Sequence, residues 1–140
     1  MGKYAFGRAS QDAMRGVHPD LIRVMGRALS FGVMDFSLSH GTRTIDEQRE
    51  YVRQGKSQTM DSLHLIQDDG WAHAIHAVPY PQSVNGRGVW DDLPRFGVLA
   101  GLILAAATIE QVGVRWGGDW DGDGNNDDSN FLDAAHWELI

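Results

Sequence analysis

Four histidines and one aspartate have the types and positions to bind and use a metal ion. His64 lies in SQTMDSLHL, His73 and His76 lie in WAHAIHAVPY, and His136 lies in LDAAHWEL. Asp133 precedes His136 by three residues, a spacing that can bring a carboxylate next to the water that a metal binds. Three protein ligands, one open position and a nearby carboxylate base make up a hydrolytic zinc site. Because the chain has six histidines, accidental triplets are common and spacing alone leaves the site open.

Strand geometry restricts which of these histidines can meet. Side chains alternate between the two faces of a strand, so His73 and His76 point in opposite directions within WAHAIHAVPY. Only one of this pair can join the other two histidines. In the last predicted strand, AHWEL, His136 and Glu138 share one face, whereas Trp137 points away into the core or the cleft wall.

A second candidate cation site begins at Asp119, in DWDGDGNNDDSN. Its aspartates occupy positions 1, 3, 5 and 9 of a calcium loop, with Gly124 at position 6 for the sharp turn. Position 12 is Asn130 instead of the usual bidentate glutamate, although Asp128 could substitute. The predicted calcium ligands are Asp119, Asp121, Asp123, Asn125 and Asp127. The alternative is a solvated acidic turn without a bound ion.

Composition limits the other classes of function. The chain has 140 residues, 42% hydrophobic and 22% charged, which is typical of one soluble globular domain. A net charge of −7 argues against nucleic acid as the main partner. Since there is no cysteine, a metal site must use His, Asp and Glu. We expect a monomer.

Two segments bear on membranes and export. The N-terminal residues lack an apolar core of signal-peptide length, so we expect synthesis in the cytoplasm without an export signal. The apolar stretch from Phe96 to Ile109 is too short to span a bilayer and is interpreted as a buried helix. We therefore expect no stable membrane insertion.

The pattern of apolar and turn-forming residues predicts mixed helices and strands without regular alternation. Helices are expected from Ser10, as the cap, to Gly16, from Pro19 to Gly32, from Thr44 to Gln54, and from Pro94 to about Val112. Strands are expected over 33–39, 71–80, 114–116 and 135–139, with a loop at Gly86 and Gly88. The predicted fold is α+β: one domain over residues 1–140, with a small antiparallel sheet flanked by helices.

Four segments, taken in order, resemble the VanY-like zinc peptidases of peptidoglycan. They are GVHPDLIRVMGRALS, SHGTRTIDEQREYVRQGKSQTMDSLH, HAIHAVPY and VRWGGDWDGDG…FLDAAHWEL. The branch that the chain resembles most is the bacteriophage endolysins that cut the L-alanyl-D-glutamate bond. The resemblance runs from about Ser10 to Leu139 and implies a zinc site on the sheet, with no separate wall-binding domain.

The resemblance also implies roles for individual residues. His64 and His136 match zinc ligands, and Asp133 matches the catalytic acid and base. Arg43 matches an arginine that stabilises the developing oxyanion or holds a substrate carboxylate. The candidate substrate-binding residues are Ser62 and Gln48. About five extra residues in LIQDDGWAHA separate His64 from the next motif.

One position departs from the pattern of the family. Where the family has a ligand aspartate, in a string such as HAVDLVPY, this chain has His76. A zinc site of three histidines is chemically sound. The alternatives are a working variant, weakened zinc binding, or an inactive form that still binds peptidoglycan. We favour a retained site formed by His64, His76 and His136.

The resemblance therefore implies a zinc-dependent phage endolysin, which calcium could regulate. Its partner would be the stem peptide of peptidoglycan. It would be made in the host cytoplasm and would act on the periplasmic wall after the membrane is permeabilised. A D-alanyl-D-alanine carboxypeptidase shares these motifs and is the less favoured activity.

Overall fold

The computed structural model describes residues 3–122 and 133–140. The helices in these ranges are α1 (Arg8–Ala13), α2 (Pro19–Ser30), α3 (Ile45–Arg53) and α4 (Leu93–Glu110). The strands are β1 (Phe36–Ser39), β2 (Ala74–Pro79), β3 (Ser83–Val84), β4 (Arg87–Gly88), β5 (Val114–Trp116) and β6 (His136–Leu139). A short 3-10 helix, Val89–Asp91, precedes α4.

The main sheet has four strands in the order β1-β2-β6-β5, and each neighbouring pair is antiparallel. Strand β6 comes from the end of the chain and inserts between β2 and β5. The predicted α+β fold with a small antiparallel sheet is confirmed. This order makes β2 and β6 central neighbours, so side chains on their common face lie side by side.

The core lies between this sheet and the two longer helices. Helix α2 packs against α4, and α4 packs against β2. The helical spacing of Leu21, Val24 and Met25 gives α2 one apolar face, and all three side chains are buried. Ile75 from β2 and Trp137 from β6 enter the same core, which turns the opposite face of both strands towards the cleft.

Helix α4 is 18 residues long and apolar enough to cross a membrane by length and composition alone. The expectation that this stretch is too short to do so is therefore wrong, because the helix extends beyond residues 96–109 at both ends. In the structure, one face of it is buried in the core through residues such as Phe96, Leu99 and Ile103. The prediction of a core helix agrees with this burial. The predicted absence of membrane insertion stays a prediction.

Three local details differ from the sequence interpretation. Ser10 lies inside α1, not at its cap, and its Oγ accepts a 3.0 Å hydrogen bond from the Leu38 amide. Strand β2 begins at Ala74, so His73 precedes it. The predicted glycine loop is a hairpin, β3–β4, whose turn contains Asn85 and Gly86 in left-handed conformations. The Asn-Gly pair is a strong hairpin signal that the sequence interpretation missed.

Candidate metal centre

The structure brings His64, His76 and His136 together. One potential ligand nitrogen from each histidine lies within 4.8 Å of the other two. The ring centroid of His64 is 5.1 Å from that of His76 and 5.1 Å from that of His136. The His76 and His136 centroids are 5.7 Å apart. Three converging imidazoles from a loop and two strands can hold one transition-metal ion.

His64 is fixed by the segment before α3. Its Nδ1 lies 2.8 Å from the carbonyl oxygen of Gly41, so Nδ1–H donates there and Nε2 is the nitrogen with a free lone pair. A Cβ on Gly41 would overlap the carbonyl oxygen of Ala13. Glycine is therefore required for this segment to lie against the end of α1. The amide of His64 also donates to Ser62 Oγ at 3.1 Å.

His136 is oriented by a carboxylate on its own strand. Its Nε2 lies 2.8 Å from Glu138 Oε1, the residue that shares its face two positions later. A neutral ring that donates from Nε2 has its lone pair on Nδ1. Trp137, between them, is 1% exposed, as the predicted alternation requires. Glu138 also approaches Arg115, with Oε2 3.6 Å from Nη1.

Asp133 lies beside the three histidines. Its Oδ2 is 3.9 Å from His76 Nε2, and its carboxyl is partly exposed to the cleft. The main chain holds it on both sides, because its amide donates to the Gly117 carbonyl at 2.9 Å and its carbonyl accepts from the His136 amide at 3.1 Å. A Cβ on Gly117 would overlap the Asp133 carbonyl oxygen. The glycine therefore allows β5 to hold this turn.

The donor set suits zinc. Burial is the main cause that lowers the pKa of His64 to about 3 and that of His76 to about 2, with smaller contributions from neighbouring cationic groups. Both imidazoles are therefore unprotonated at neutral pH and present lone pairs. A metal would not compete with protons for these two ligands near neutrality.

His73, the alternative to His76, faces away from the centre. Its Nε2 lies 2.7 Å from Asp69 Oδ2, in the segment that the sequence interpretation identified as extra residues. The His18 ring lies 5.5 Å from the His73 ring. His18 also caps α2, since its Nδ1 accepts from the Asp20 amide. The structure therefore selects His76.

Arg43 reaches the same cleft from the other side. Its amide donates to the His64 carbonyl at 2.8 Å, and its guanidinium donates to Gln48 Oε1 at 2.8 Å. The guanidinium lies over the Tyr51 ring, 4.2 Å from the centroid. Burial lowers the pKa of Arg43 from its usual value. Gln48 itself is 0% exposed and lies behind the cleft wall, where it holds Arg43.

His40 is a further residue of the cleft, at the junction between β1 and the turn that contains Arg43. It has a left-handed backbone, with φ 45°, at the end of β1, and its ring lies 4.9 Å from the His76 ring. Burial is the main cause of its lowered pKa, followed by the charge of Arg43. The signal available in the sequence was its position directly before the Gly-Thr-Arg turn.

These groups line one cleft of about 660 Å³. Its walls combine the histidines with polar and aromatic side chains, including Ser62, Tyr51, Lys56 and Trp120. The Trp120 ring lies 5.3 Å from the His136 ring. Ser62 is thus in a position to contact a bound ligand.

The predicted calcium loop is only partly described. Asp119 follows β5, and its amide donates to the Trp116 carbonyl at 3.0 Å. Asp121 is exposed. The other predicted ligands, Asp123, Asn125 and Asp127, lie outside the described residues.

Comparison with known proteins identifies the family of the chain. A family described as phage L-alanyl-D-glutamate peptidase matches residues 2–140. The L-alanyl-D-glutamate peptidase of Escherichia phage T5 is 29% identical over an alignment of 143 positions, which covers 98% of each chain. The crystal structure of the Serratia marcescens L-Ala D-Glu endopeptidase ChiX is similar with a TM-score of 0.74 and 32% identity, over 99% of this chain and 92% of that one. Because the match covers nearly the whole chain, this protein belongs to the phage L-alanyl-D-glutamate peptidase family.

Proposed function

We propose that this protein is a zinc-dependent phage endolysin that hydrolyses the L-alanyl-D-glutamate bond of the peptidoglycan stem peptide. The observation that carries the proposal is the cluster of His64, His76 and His136 beside Asp133, in a cleft that Arg43 also lines. The family supports a peptidase, and the names of its relatives give the bond. A set of three imidazole ligands supports zinc.

In the proposed reaction, each protein group has one task. Zinc, when bound to the three histidines, would supply a Lewis acid that polarises the scissile carbonyl and activates a water. Asp133 accepts the proton of the attacking water and delivers it to the leaving amine of D-glutamate. Arg43 donates hydrogen bonds to the oxyanion that develops on the alanyl carbonyl. Ser62 helps to hold the peptide at the cleft.

Histidine at position 76 is compatible with this reaction. It lies on β2 directly opposite His136 on β6, so its ring enters the cluster without any break in the strand pairing. Three neutral ligands leave zinc with its full double charge, which favours carbonyl polarisation and reduces the electrostatic attraction for the ion. We infer a working site in which zinc binds less tightly than it would with an aspartate.

The first test is digestion of purified peptidoglycan followed by mass spectrometry. Cleavage at the proposed bond produces peptides that begin with D-glutamate and glycan strands whose lactyl groups each keep a single L-alanine. Release of free D-alanine instead would assign the chain to the carboxypeptidase activity. His64→Ala, which removes a ligand, is expected to abolish the products.

The second test concerns zinc and position 76. We expect about one zinc per chain by elemental analysis, loss of activity with a chelator and recovery with zinc. His76→Asp should bind zinc more tightly and stay active. An inactive parent whose activity appears only in His76→Asp would instead support the alternative, a peptidoglycan-binding protein that has lost turnover.

We also propose that the acidic segment from Asp119 binds calcium and orders the chain that leads to Asp133. The support is the sequence pattern of Asp119, Asp121, Asp123, Asn125 and Asp127, and the short distance along the chain from this segment to Asp133. Calcium titration of the zinc-loaded protein, followed by calorimetry and by lytic rate, tests this. The absence of both a binding heat and a change in lytic rate at millimolar calcium would contradict this proposal.

A further inference from the structure

One wall of the cleft carries two cations that share an aromatic ring. We call Arg43, Tyr51 and Lys56 the cationic wall. Arg43 Cζ lies 4.2 Å from the Tyr51 ring centroid, and Lys56 Nζ lies 5.9 Å from it. All three side chains line the same cleft as the three histidines.

The turn after α3 brings Lys56 back over Tyr51. Gly55 adopts a φ of 74°, which ends the helix, and the amides of Lys56 and Ser57 both donate to the Tyr51 carbonyl, at 2.9 and 3.2 Å. Buried Gln48 then holds the residues that follow. Its Nε2 donates to Ser57 Oγ at 2.9 Å and to the carbonyl oxygen of Thr59 at 2.7 Å. Lys56 is therefore exposed on an anchored turn.

The cations of this wall, which flank α3 on either side, differ from the arginines of the helix itself. On the remaining surface of α3, Arg49 is paired with Asp46 at 3.2 Å, and Arg53 is paired with Glu50. Within residues 3–122 and 133–140, neither Arg43 nor Lys56 forms an ion pair with a carboxylate. Although Asp61, Asp133 and Glu138 also line the cleft, these two cations on one wall have charge that an anionic group of a ligand can contact.

The proposed substrate has its carboxylates on one side only of the bond to be cut. On the alanyl side, the lactyl carboxyl of the sugar is already consumed in an amide. On the other side, a D-glutamyl residue has two carboxyl groups and only one of them continues the chain. The other stays a free carboxylate close to the leaving nitrogen, and the next residue of the stem adds further carboxylate.

We propose that Lys56, with Tyr51, forms the subsite for the free carboxylate of the D-glutamyl residue, on the leaving side of the scissile bond. This inference rests on the proposed function and adds the direction in which the peptide lies: the D-glutamyl side towards α3, the sugar side towards the opposite end of the cleft. A flexible ammonium contacts a carboxylate as a point charge. Lys56 thus serves substrate binding more than the chemical step.

The experiment compares two muramoyl tripeptides that differ only in the free carboxyl of D-glutamate, which is either an acid or a carboxamide. For the parent, kcat/KM should be about tenfold higher with the acid, since a charge-assisted contact is lost with the amide. Lys56→Met should remove this preference, mainly through KM, and Lys56→Arg should retain most of it. Arg49→Met removes the same charge from α3 outside the cleft and should leave both substrates unaffected.

A muramoyl dipeptide that ends at D-glutamate separates the two sources of carboxylate. If Lys56→Met affects the dipeptide as it affects the tripeptide, the contact is with D-glutamate as proposed. An effect that needs the third residue, and is equal on acid and amide, places the contact on that residue's carboxylate and overturns the proposal. Equal losses on acid and amide, or no loss at all, overturn the subsite.

Binding provides the same comparison without turnover. Calorimetry measures the affinity of the Asp133→Asn protein for the acid and amide tripeptides. The same measurement on Asp133→Asn combined with Lys56→Met shows how much of the affinity for the acid depends on Lys56. A parent that cleaves neither peptide contradicts the proposed function. If the parent cleaves both peptides and the Asp133→Asn protein binds both with equal affinity, only the subsite is contradicted.

Discussion

His76 and His136 lie directly opposite each other on neighbouring antiparallel strands, with ring centroids 5.7 Å apart. The backbone hydrogen bonds of β2 and β6 therefore fix the separation of two of the three candidate ligands. His64 comes from a loop, but its Nδ1 is tied to the Gly41 carbonyl. A site held in this way needs little rearrangement to receive an ion, which favours affinity.

Asp133→Asn is expected to reduce kcat by about 10²- to 10⁴-fold, because an amide cannot take a proton from water. The side chain keeps its shape, and its main-chain hydrogen bonds to Gly117 and His136 do not depend on the carboxylate. Zinc content and the thermal midpoint should therefore stay close to those of the parent. Asp46→Asn, an exposed change outside the cleft, serves as the control. Full activity in Asp133→Asn would exclude Asp133 as the proton carrier.

Glu138 is expected to support zinc binding through His136. The 2.8 Å contact between Glu138 Oε1 and His136 Nε2 fixes the ring orientation and makes the ring a better donor to metal. Glu138→Ala should weaken zinc affinity by about 10- to 100-fold, and Glu138→Gln by less, because the amide oxygen still accepts the hydrogen bond. Zinc affinity is measured by competition with a chromophoric chelator.

Arg115→Met is the control for Glu138, since it removes the cation that approaches the same carboxylate. We expect it to leave zinc affinity nearly unchanged, because this contact is longer and Arg115 is largely exposed. If both Glu138 variants bind zinc as the parent does, Glu138 has no role in orienting His136.

Gln48→Leu is expected to lower both stability and activity. The buried amide accepts from Arg43 and donates to Ser57 and to the carbonyl of Thr59. Leucine fills a similar volume and leaves those groups without partners, at a cost of about 2 to 3 kcal/mol. Urea unfolding measures the loss, and kcat/KM should fall because Arg43 is no longer held.

Gln54→Leu is a matched change at the exposed end of the same helix, where Gln54 bonds only Glu50. Its effect on the free energy of unfolding should stay within about 0.5 kcal/mol. If Gln48→Leu has an equally small effect, the buried amide does not organise the cleft wall.

Local patterns were enough to predict most of the fold. The helical spacing of Leu21, Val24 and Met25 predicted α2. Strand alternation predicted that Trp137 points away from the face that His136 and Glu138 share, and left open whether it enters the core or the cleft wall. The Asn85-Gly86 pair also indicates a hairpin turn in the sequence. The strands on either side, Ser83–Val84 and Arg87–Gly88, have only two residues each, so no alternation of apolar and polar residues identifies them as strands.

The composition of the site depended more on contacts between distant segments. Strand alternation limited the choice to His73 or His76, and only the pairing of β2 with β6 shows which one meets His136. His40 joins the cluster through a left-handed turn that its own sequence does not encode strongly. Lys56 reaches Tyr51 because a glycine turn reverses the chain, which neither periodicity nor motif spacing describes.

The last prediction concerns acid stability of the metal-free protein. The pKa values of His64 and His76 are lowered in the folded state to about 3 and about 2, from an ordinary value of 6.5. Below pH 6.5 the unfolded chain therefore takes up protons at these positions and the folded chain does not. Stability is full above pH 6.5 and falls as the pH decreases towards the folded values, by at most about 1.4 kcal/mol per pH unit for each group.

Between pH 6.5 and 5 we expect the apo protein to lose about 2 to 3 kcal/mol of unfolding free energy, measured by urea denaturation. Carboxylates with lowered pKa values, such as Glu47 and Asp69, lose their contributions only as the pH falls further, below their ordinary values near 4. His76→Gln removes one of the two groups and should reduce the pH dependence by about half, whatever it does to stability at pH 7. An unchanged slope in this variant would mean that His76 is protonated equally in the folded and unfolded chain, and that burial does not lower its pKa.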